Sequence, residues 1–184
     1  MDKPKKHKVV FRDKIFDLAP KIAEARSLAS AYAYKKGSKR YRENEDHVST
    51  TGVLGELIHR DWCRRKTVTG EFDNVEFGQL VDLDPDIAPD GVIDGETFDV
   101  KYKNKEVSHM PNRVFVNYDS HNNPDKTVDK YFFVEPIEGT CHAGMCDALM
   151  YEWDASDGDS WAVGDWGKGP VYYHDIKDGD CEEM

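Results

Sequence analysis

A two-residue turn signal near the middle of the chain constrains the fold more than any other feature of the sequence. The segment PDGVIDGETFDVK, Pro89 to Lys101, carries Asp94-Gly95 between two short runs of strand-forming residues. A type I′ turn needs positive φ at both central residues, and Asp-Gly adopts that conformation at little cost. The sequence therefore predicts a β-hairpin in which Ile93 faces Glu96.

That register brings two carboxylates together at the open end of the hairpin. Asp90 falls directly opposite Asp99, and cross-strand partners on one face have Cβ atoms roughly 4.5–5.5 Å apart. Lys101 points to the same face because side chains alternate along a strand, and Lys103 continues the series as a predicted phosphate contact. The intervening residues are predicted to face the core; they are Phe98, Val100 and Tyr102.

Two carboxylates held this close repel each other unless a cation lies between them. Oxygen ligands without histidine or thiolate favour a hard ion, and Mg²⁺ is usually held by one or two carboxylates, water and substrate phosphate. Mn²⁺ would be a substitute. Lys101 could then stabilise charge on a phosphate, or orient or deprotonate an attacking water. A solvent-facing acidic hairpin that binds nothing is the alternative interpretation.

Helical and strand patterns flank the hairpin. The segment TTGVLGELIHRDWCRRK places Glu56 beside an apolar stripe at helical spacing, formed by Val53, Leu54, Leu57, Ile58 and Trp62. KYFFVEP, Lys130 to Pro136, is typical of a buried strand. Glu56 has two interpretations: an acid that contributes to the metal site, or an exposed partner for Arg60 one turn later.

Together these motifs resemble the PD-(D/E)xK nuclease superfamily, which has the restriction-endonuclease-like fold, over roughly residues 52–137. In that family, a helix bearing an acid precedes the motif hairpin and a core strand follows it. The resemblance implies that Asp90, Asp99 and Glu56 hold the metal. It further implies that the main-chain carbonyl of Val100 completes the metal shell and that Lys101 is the catalytic lysine.

Two features depart from the family pattern. A second Pro-Asp, Pro85-Asp86, lies four residues upstream and could supply the first carboxylate through a longer hairpin loop. Asp90 is preferred because only it falls opposite Asp99 under the two-residue turn. The family also has a helix soon after the lysine strand, whereas RVFVNYDS, Arg113 to Ser120, is typical of another strand.

Charge is segregated along the chain. The net charge is −11, yet residues 1–66 carry +8, residues 67–146 carry −10 and residues 147–184 carry −9. Within the basic third, AYAYKKGSKRYREN interleaves tyrosines with cations, a composition suited to phosphates and stacked bases. The predicted DNA contacts there are Lys35, Lys36, Lys39, Arg40 and Arg42. A solvated helix end capped by Gly37 is the alternative.

The rest of the chain completes a predicted layout of one α/β domain, a central mixed β-sheet flanked by helices. A lysine-rich tail of roughly ten residues leads into a helix from Asp13 to Lys36, with Leu18 and Leu28 on its apolar stripe. The basic helical part covers 1–66, the catalytic core 52–137, and an acidic, tryptophan-rich β extension 138–184 that ends in a disordered KDGDCEEM.

Cysteine usage and hydropathy predict a cytoplasmic protein without a membrane span. Cys141, His142 and Cys146 could contribute to a Zn²⁺ site, but no fourth ligand is evident, and reduced thiols are the favoured interpretation. No histidine forms an evident pair with a nucleophilic serine or cysteine.

The function predicted from these patterns is a Mg²⁺-dependent deoxyribonuclease of phage or mobile-element type, cutting within DNA. A homodimer would suit double-strand cutting. Two alternatives stay open: a non-catalytic DNA-binding protein on the same fold, and an acidic protein that mimics DNA and binds a basic partner.

Overall fold

The computed structural model describes residues 3–33, 46–81, 89–103, 112–165, 169–177 and 179–184. The helices are α1 (Lys14–Ala33), α2 (Asp46–Val68) and the short α3 (Tyr118–His121). The first five strands are β1 (Lys5–Arg12), β2 (Val75–Phe77), β3 (Gly91–Ile93), β4 (Glu96–Tyr102) and β5 (Arg113–Asn117). The last five are β6 (Lys130–Pro136), β7 (Met145–Asp154), β8 (Ala162–Asp165), β9 (Pro170–Asp175) and β10 (Glu182–Glu183).

Seven of the described strands form one mixed sheet in the order β10-β1-β7-β6-β4-β3-β2. β4 and β6 pair in parallel, and β6, β7 and β1 pair antiparallel in turn. KYFFVEP is a strand as the sequence predicts, and the parallel pair places it beside the motif strand β4. The α/β class with a central mixed sheet is therefore confirmed.

The predicted hairpin is present with the predicted register. Asp94 and Gly95 have φ of 49° and 91°, and β3 pairs with β4 so that Ile93 faces Glu96 and Gly91 faces Phe98. The Asp94 carboxylate also accepts hydrogen bonds from the main-chain N–H groups of residues 73 and 74, at 3.0 and 2.7 Å. The turn is thus fixed both by its own backbone and by the chain that leads into β2.

Gly91 is required where β2, β3 and β4 meet. A Cβ at this position would lie 2.5 Å from Cζ of Phe98 and would also overlap the main-chain oxygen of Glu76. We expect Gly91→Ala to lower the free energy of unfolding by about 3 kcal/mol, because neither neighbour can give way freely. Gly52→Ala is the matched control, since a Cβ on Gly52 in α2 meets nothing within 4 Å. Urea unfolding of both variants tests this; equal stability would contradict it.

One face of the sheet packs against α1 and α2. The predicted α2 stripe is buried as expected: Val53, Leu54, Leu57, Ile58 and Trp62 join the core with Phe98 and Val100 of β4. The predicted α1 stripe is wrong in part, because Leu18 and Leu28 are exposed. Ala19 and Ala23 are buried instead, and their small side chains let α1 lie close to α2.

The other face is covered by a second, three-stranded sheet in the order β5-β9-β8. RVFVN is a strand as predicted, but it pairs with β9 rather than with the motif strands. A second core lies between the sheets and contains Tyr131, Phe133, Trp153 and Trp161. The tryptophans of the C-terminal region therefore hold this small sheet onto the main one.

Both ends of the described chain differ from the prediction. The lysine-rich tail is strand β1, whose Val9 and Phe11 are buried. The predicted disordered end forms β10, which pairs in parallel with β1 through Lys5 and Lys6. β7 lies inside the main sheet between β1 and β6. The segment after residue 137, predicted as a β extension, therefore also supplies a central strand of the main sheet.

The cysteines also differ from the prediction. Cys141 and Cys146 form a disulfide across the loop between β6 and β7, with Cα atoms 4.0 Å apart, so neither is a reduced thiol or a metal ligand. Cys63 is a buried free thiol. Within the described ranges, no helix is long and apolar enough to cross a membrane.

Candidate functional site

The open end of the hairpin brings together the two predicted carboxylates and the lysine. The Asp90 N–H donates to the Phe98 carbonyl at 3.0 Å, and Oδ2 of Asp90 accepts from the Val100 N–H at 2.7 Å. Lys101 Nζ lies 2.5 Å from Oδ2 of Asp99. The Asp99 and Lys101 side chains are 28% and 36% exposed, so solvent reaches this group.

The electrostatics of Asp90 show an excess of negative charge. Burial raises its pKa well above the ordinary value, and the carboxylates of Asp99 and Glu56 raise it further. Lys101 and the Val100 N–H lower the pKa of Asp90, but they do not cancel the effects that raise it. A cation placed between the carboxylates would remove the penalty.

Lys101 remains an ammonium in this arrangement. Burial favours its neutral form, but the carboxylates of Asp99 and Asp90 outweigh that effect and raise its pKa. Without metal, Lys101 is therefore a cation that can stabilise phosphate charge rather than a base that removes a proton from water.

The Val100 carbonyl has the orientation that the resemblance implies. In an extended strand the N–H and C=O of one residue point to the same side, and the Val100 N–H points at Asp90. The Val100 carbonyl accordingly lies on the Asp90 side of β4, at the strand edge beyond the last β3 pair.

Glu56 is not an exposed residue, and its hydrogen-bonded partner is Arg26 rather than Arg60, with which it interacts electrostatically. It is 9% exposed, and its two carboxylate oxygens accept from both terminal nitrogens of Arg26 at 2.8 and 2.6 Å. Arg60 donates instead to the Gly78 carbonyl at 2.5 Å. Glu56 still raises the pKa of Asp90, so it belongs to the electrostatic surroundings of the site through a salt bridge to α1.

A substitution of Arg26 tests whether Glu56 acts only as a salt-bridge partner. We expect Arg26→Met to lower the free energy of unfolding by about 3 kcal/mol, because it leaves a largely buried carboxylate unpaired. If Glu56 can bind metal, Mg²⁺ should restore part of this loss in a thermal melt. Arg65→Met is the control: its i,i+4 pair with Asp61 is more exposed and should contribute less than about 1 kcal/mol. A loss that Mg²⁺ does not change would leave Glu56 a structural residue.

Lys103 is not available for DNA. Its Nζ lies 2.6 Å from Oε2 of Glu135, and the two side chains are only 4% and 5% exposed. The alternation along β4 is as predicted, but Glu135 of the neighbouring strand β6 pairs with the ammonium, and the ring of Tyr151 on β7 lies near it. The predicted phosphate contact is therefore wrong, because a buried salt bridge already uses the charge.

Several predicted residues lie outside the described ranges. They are the proposed DNA contacts Lys35, Lys36, Lys39, Arg40 and Arg42, and the alternative carboxylate pair Pro85-Asp86. Their roles stay predictions from the sequence.

The residues present fit a two-carboxylate Mg²⁺ site better than a three-carboxylate one. In the described part of the chain, no group of three or more His, Cys, Asp or Glu side chains lies together as a metal site. Asp90 carries the charge that its surroundings disfavour, and Asp99 is paired only with the partly exposed Lys101, whereas the buried Glu56 is already paired with Arg26. Two carboxylates supplemented by water and phosphate oxygens are a usual Mg²⁺ environment.

Two features of the surroundings were missed in the sequence. Arg26 lies on the buried side of α1, four residues after Ile22 and three before Ala29, and a cation inside an apolar stripe could have indicated a buried partner. His59 and Cys63 do form a pair, with Sγ 3.6 Å from Nε2. Both are fully buried, and burial raises the pKa of the Cys63 thiol, so this pair is structural rather than nucleophilic.

No protein-family model, curated protein or solved structure matches this chain.

Proposed function

We propose that this protein is a metal-dependent nuclease that hydrolyses DNA phosphodiester bonds at Asp90, Asp99 and Lys101. The observation that carries the proposal is the pair of carboxylates at the hairpin mouth, where burial, and then repulsion by Asp99 and Glu56, raise the pKa of Asp90. A protein gains nothing in stability from such repulsion. Mg²⁺ would relieve it and would bring a phosphate to the site.

Each residue of the site has a separate role in the proposed reaction. Asp90 and Asp99, with the Val100 carbonyl, would hold the ion, which polarises the scissile phosphate and activates water when bound. The Lys101 ammonium, anchored by Asp99, would stabilise the charge that develops on the phosphate oxygens. Glu56 and Arg26 would fix α2 and α1 behind the site.

The direct test is cleavage of supercoiled circular DNA and of linear single- and double-stranded DNA, each with Mg²⁺, Mn²⁺ or EDTA. Wild type should cut only with metal. Lys101→Ala should cut at least about 10²-fold more slowly, because one preorganised charge is lost at the transition state. Lys21→Ala is a control that removes an exposed lysine from α1. Equal cutting by Lys101→Ala and wild type would reject the assignment of Lys101.

The substrate pattern separates the remaining interpretations. Nicking and linearisation of circular DNA would identify an endonuclease, and digestion of linear DNA alone would identify an exonuclease. If no condition gives cleavage, the nuclease proposal fails. A DNA-binding measurement would then distinguish a non-catalytic DNA-binding protein from an acidic DNA mimic.

A further inference from the structure

Three polar side chains from separate segments form a hydrogen-bonded chain beside the candidate site. Nδ1 of His121 lies 2.8 Å from the Tyr131 hydroxyl, and Nε2 of His121 lies 2.8 Å from Oδ1 of Asp159. His121 is at the end of α3, Tyr131 is on β6, and Asp159 is in the 3₁₀ segment Ala155–Ser160 that follows β7. The His121 side chain is 8% exposed and Tyr131 is 5% exposed.

The chemistry of the three groups gives the chain a direction. An ionised carboxylate can only accept, so Asp159 accepts a hydrogen bond from the Nε2–H of His121, and Nδ1 of a neutral imidazole is then an acceptor. The Tyr131 hydroxyl must donate to it. Its remaining lone pairs can only accept, so Tyr131 presents an acceptor and no donor to any other neighbour.

The packing around His121 is close enough to hold the chain in one geometry. A Cβ on Gly158 would lie 2.9 Å from Cε1 of His121, so the absence of a side chain lets the 3₁₀ segment approach the ring. The ring of Tyr172 on β9 packs edge-on against the imidazole, with centroids 5.1 Å apart. His121 is therefore fixed on several sides before it meets Tyr131.

Of the three hydrogen-bonded side chains, Tyr131 is the one that lies next to the candidate site. In the parallel ladder between β4 and β6, Tyr131 is the register partner of Asp99, and Lys101 is two residues further along the same face. Tyr131 also interacts electrostatically with both residues: burial, and to a smaller extent Asp99, raise the pKa of Tyr131 to about 12, and Lys101 opposes the shift.

We propose that Tyr131 is a positioning residue of the nuclease site, held by His121 and Asp159 so that its hydroxyl oxygen accepts from and orients the Lys101 ammonium. This inference rests on the proposed function. Lys101 has three N–H donors, and Asp99 uses one of them at 2.5 Å. A second fixed acceptor would hold the ammonium toward phosphate rather than leave it free to rotate about the Asp99 contact.

The test compares Tyr131→Phe, His121→Phe and the double variant in the DNA-cleavage assay. Each single variant should lower kcat by about 10- to 100-fold, the range for partners that orient a site residue, with KM for DNA unchanged. The double variant should be no slower than the worse single variant, because both changes break the same chain. Tyr151→Phe is the matched control, a buried tyrosine on the same sheet face that should keep wild-type kcat.

Two further measurements separate positioning from general damage. Mn²⁺ affinity by electron paramagnetic resonance should be unchanged in Tyr131→Phe, because the chain acts on Lys101 and not on the metal ligands. Parallel loss of Mn²⁺ affinity and kcat would overturn the positioning role. Gly158→Ala retains all three polar groups but displaces His121, and it should lower kcat even if Tyr131→Phe fails to fold.

The outcome also distinguishes this inference from the proposed function. If wild type cuts DNA and Tyr131→Phe cuts equally well, only the positioning role is overturned. If wild type neither cuts DNA nor binds Mn²⁺ in a manner that requires Asp90, the nuclease proposal itself fails.

Discussion

The Asp90→Asn variant should lose metal-dependent cleavage by about 10³-fold while becoming harder to unfold in the absence of metal. Loss of activity follows from removing one of two carboxylates that hold the ion, since metal stabilisation of the transition state is worth several kcal/mol. The gain in stability follows from removing the charge that Asp99 and Glu56 repel. A residue that costs stability and is needed for activity is what a functional site requires.

The sign of the stability change follows from the direction of the pKa shift. The folded protein raises the pKa of Asp90, so ionised Asp90 destabilises the folded state above that pKa. The benefit of Asp90→Asn should therefore be greatest above that raised pKa, decrease as the pH falls below it, and disappear below about pH 4, where the aspartate of the unfolded chain is also protonated. The asparagine oxygen can still accept from the Val100 N–H, so the hairpin keeps its geometry.

Thermal melts of wild type and Asp90→Asn, with EDTA and with Mg²⁺, measure both effects. Each kcal/mol gained should raise Tm by about 2–4 °C in a domain of this size. Mg²⁺ should stabilise wild type and leave Asp90→Asn unchanged, because a ligand stabilises only the state that binds it. Glu76→Gln removes an exposed acid from the adjacent strand β2 and is the control. A variant less stable than wild type in EDTA would refute the excess of negative charge.

Acid should unfold this protein largely through His59. The imidazole is fully buried between α2 and the sheet, with its ring centroid 4.4 Å from Phe132 and 4.6 Å from Phe98. Burial, and to a smaller extent the nearby Arg60, lower its pKa to about 3. In the unfolded chain the same imidazole takes up a proton at about pH 6.5.

The unfolded state therefore binds one more proton than the folded state between these two values. Stability should fall as the pH is lowered from about 6.5 to about 3, by up to about 5 kcal/mol from this residue alone. His59→Leu introduces an apolar side chain of similar size that cannot be protonated. It should be more stable than wild type below pH 6 and close to it at pH 8.

Urea unfolding of wild type and His59→Leu across pH 4 to 8 measures how steeply the free energy of unfolding of each protein depends on pH. His7 and Lys130 lower the pKa of the Glu152 carboxylate to about 2 despite its burial. Glu152 therefore also loses its stabilising effect in acid, but it does so in both proteins, and its contribution cancels from the comparison. His142→Leu removes an exposed imidazole and should retain the wild-type acid dependence. Parallel stability curves for wild type and His59→Leu would show that His59 can be protonated inside the fold.

Local features could be predicted from the sequence because they depend on residues close together in the chain. Asp94-Gly95 fixed the turn, the turn fixed the register as far as Gly91 and Phe98, and Asp90, the next residue, bonds to Phe98 and Val100 on either side of Asp99. The apolar stripe of α2 likewise predicted which side of that helix is buried. These are backbone preferences and periodicities, and a few neighbouring residues determine them.

The partners of the charged groups depended on the tertiary structure. Glu56 pairs with Arg26 and not with Arg60, and Lys103 pairs with Glu135, because α1 and β6 bring those groups in from 30 and 32 residues away. The pairing of β1 with β7 and β10 likewise depends on the tertiary structure, because these strands are far apart in the sequence.

The sequence by itself determined the hairpin that joins two carboxylates and a lysine. Only the tertiary structure decided which charges remain uncompensated there. A local pattern sets where a side chain points, whereas the free energy of a charge depends on every group that the fold packs around it.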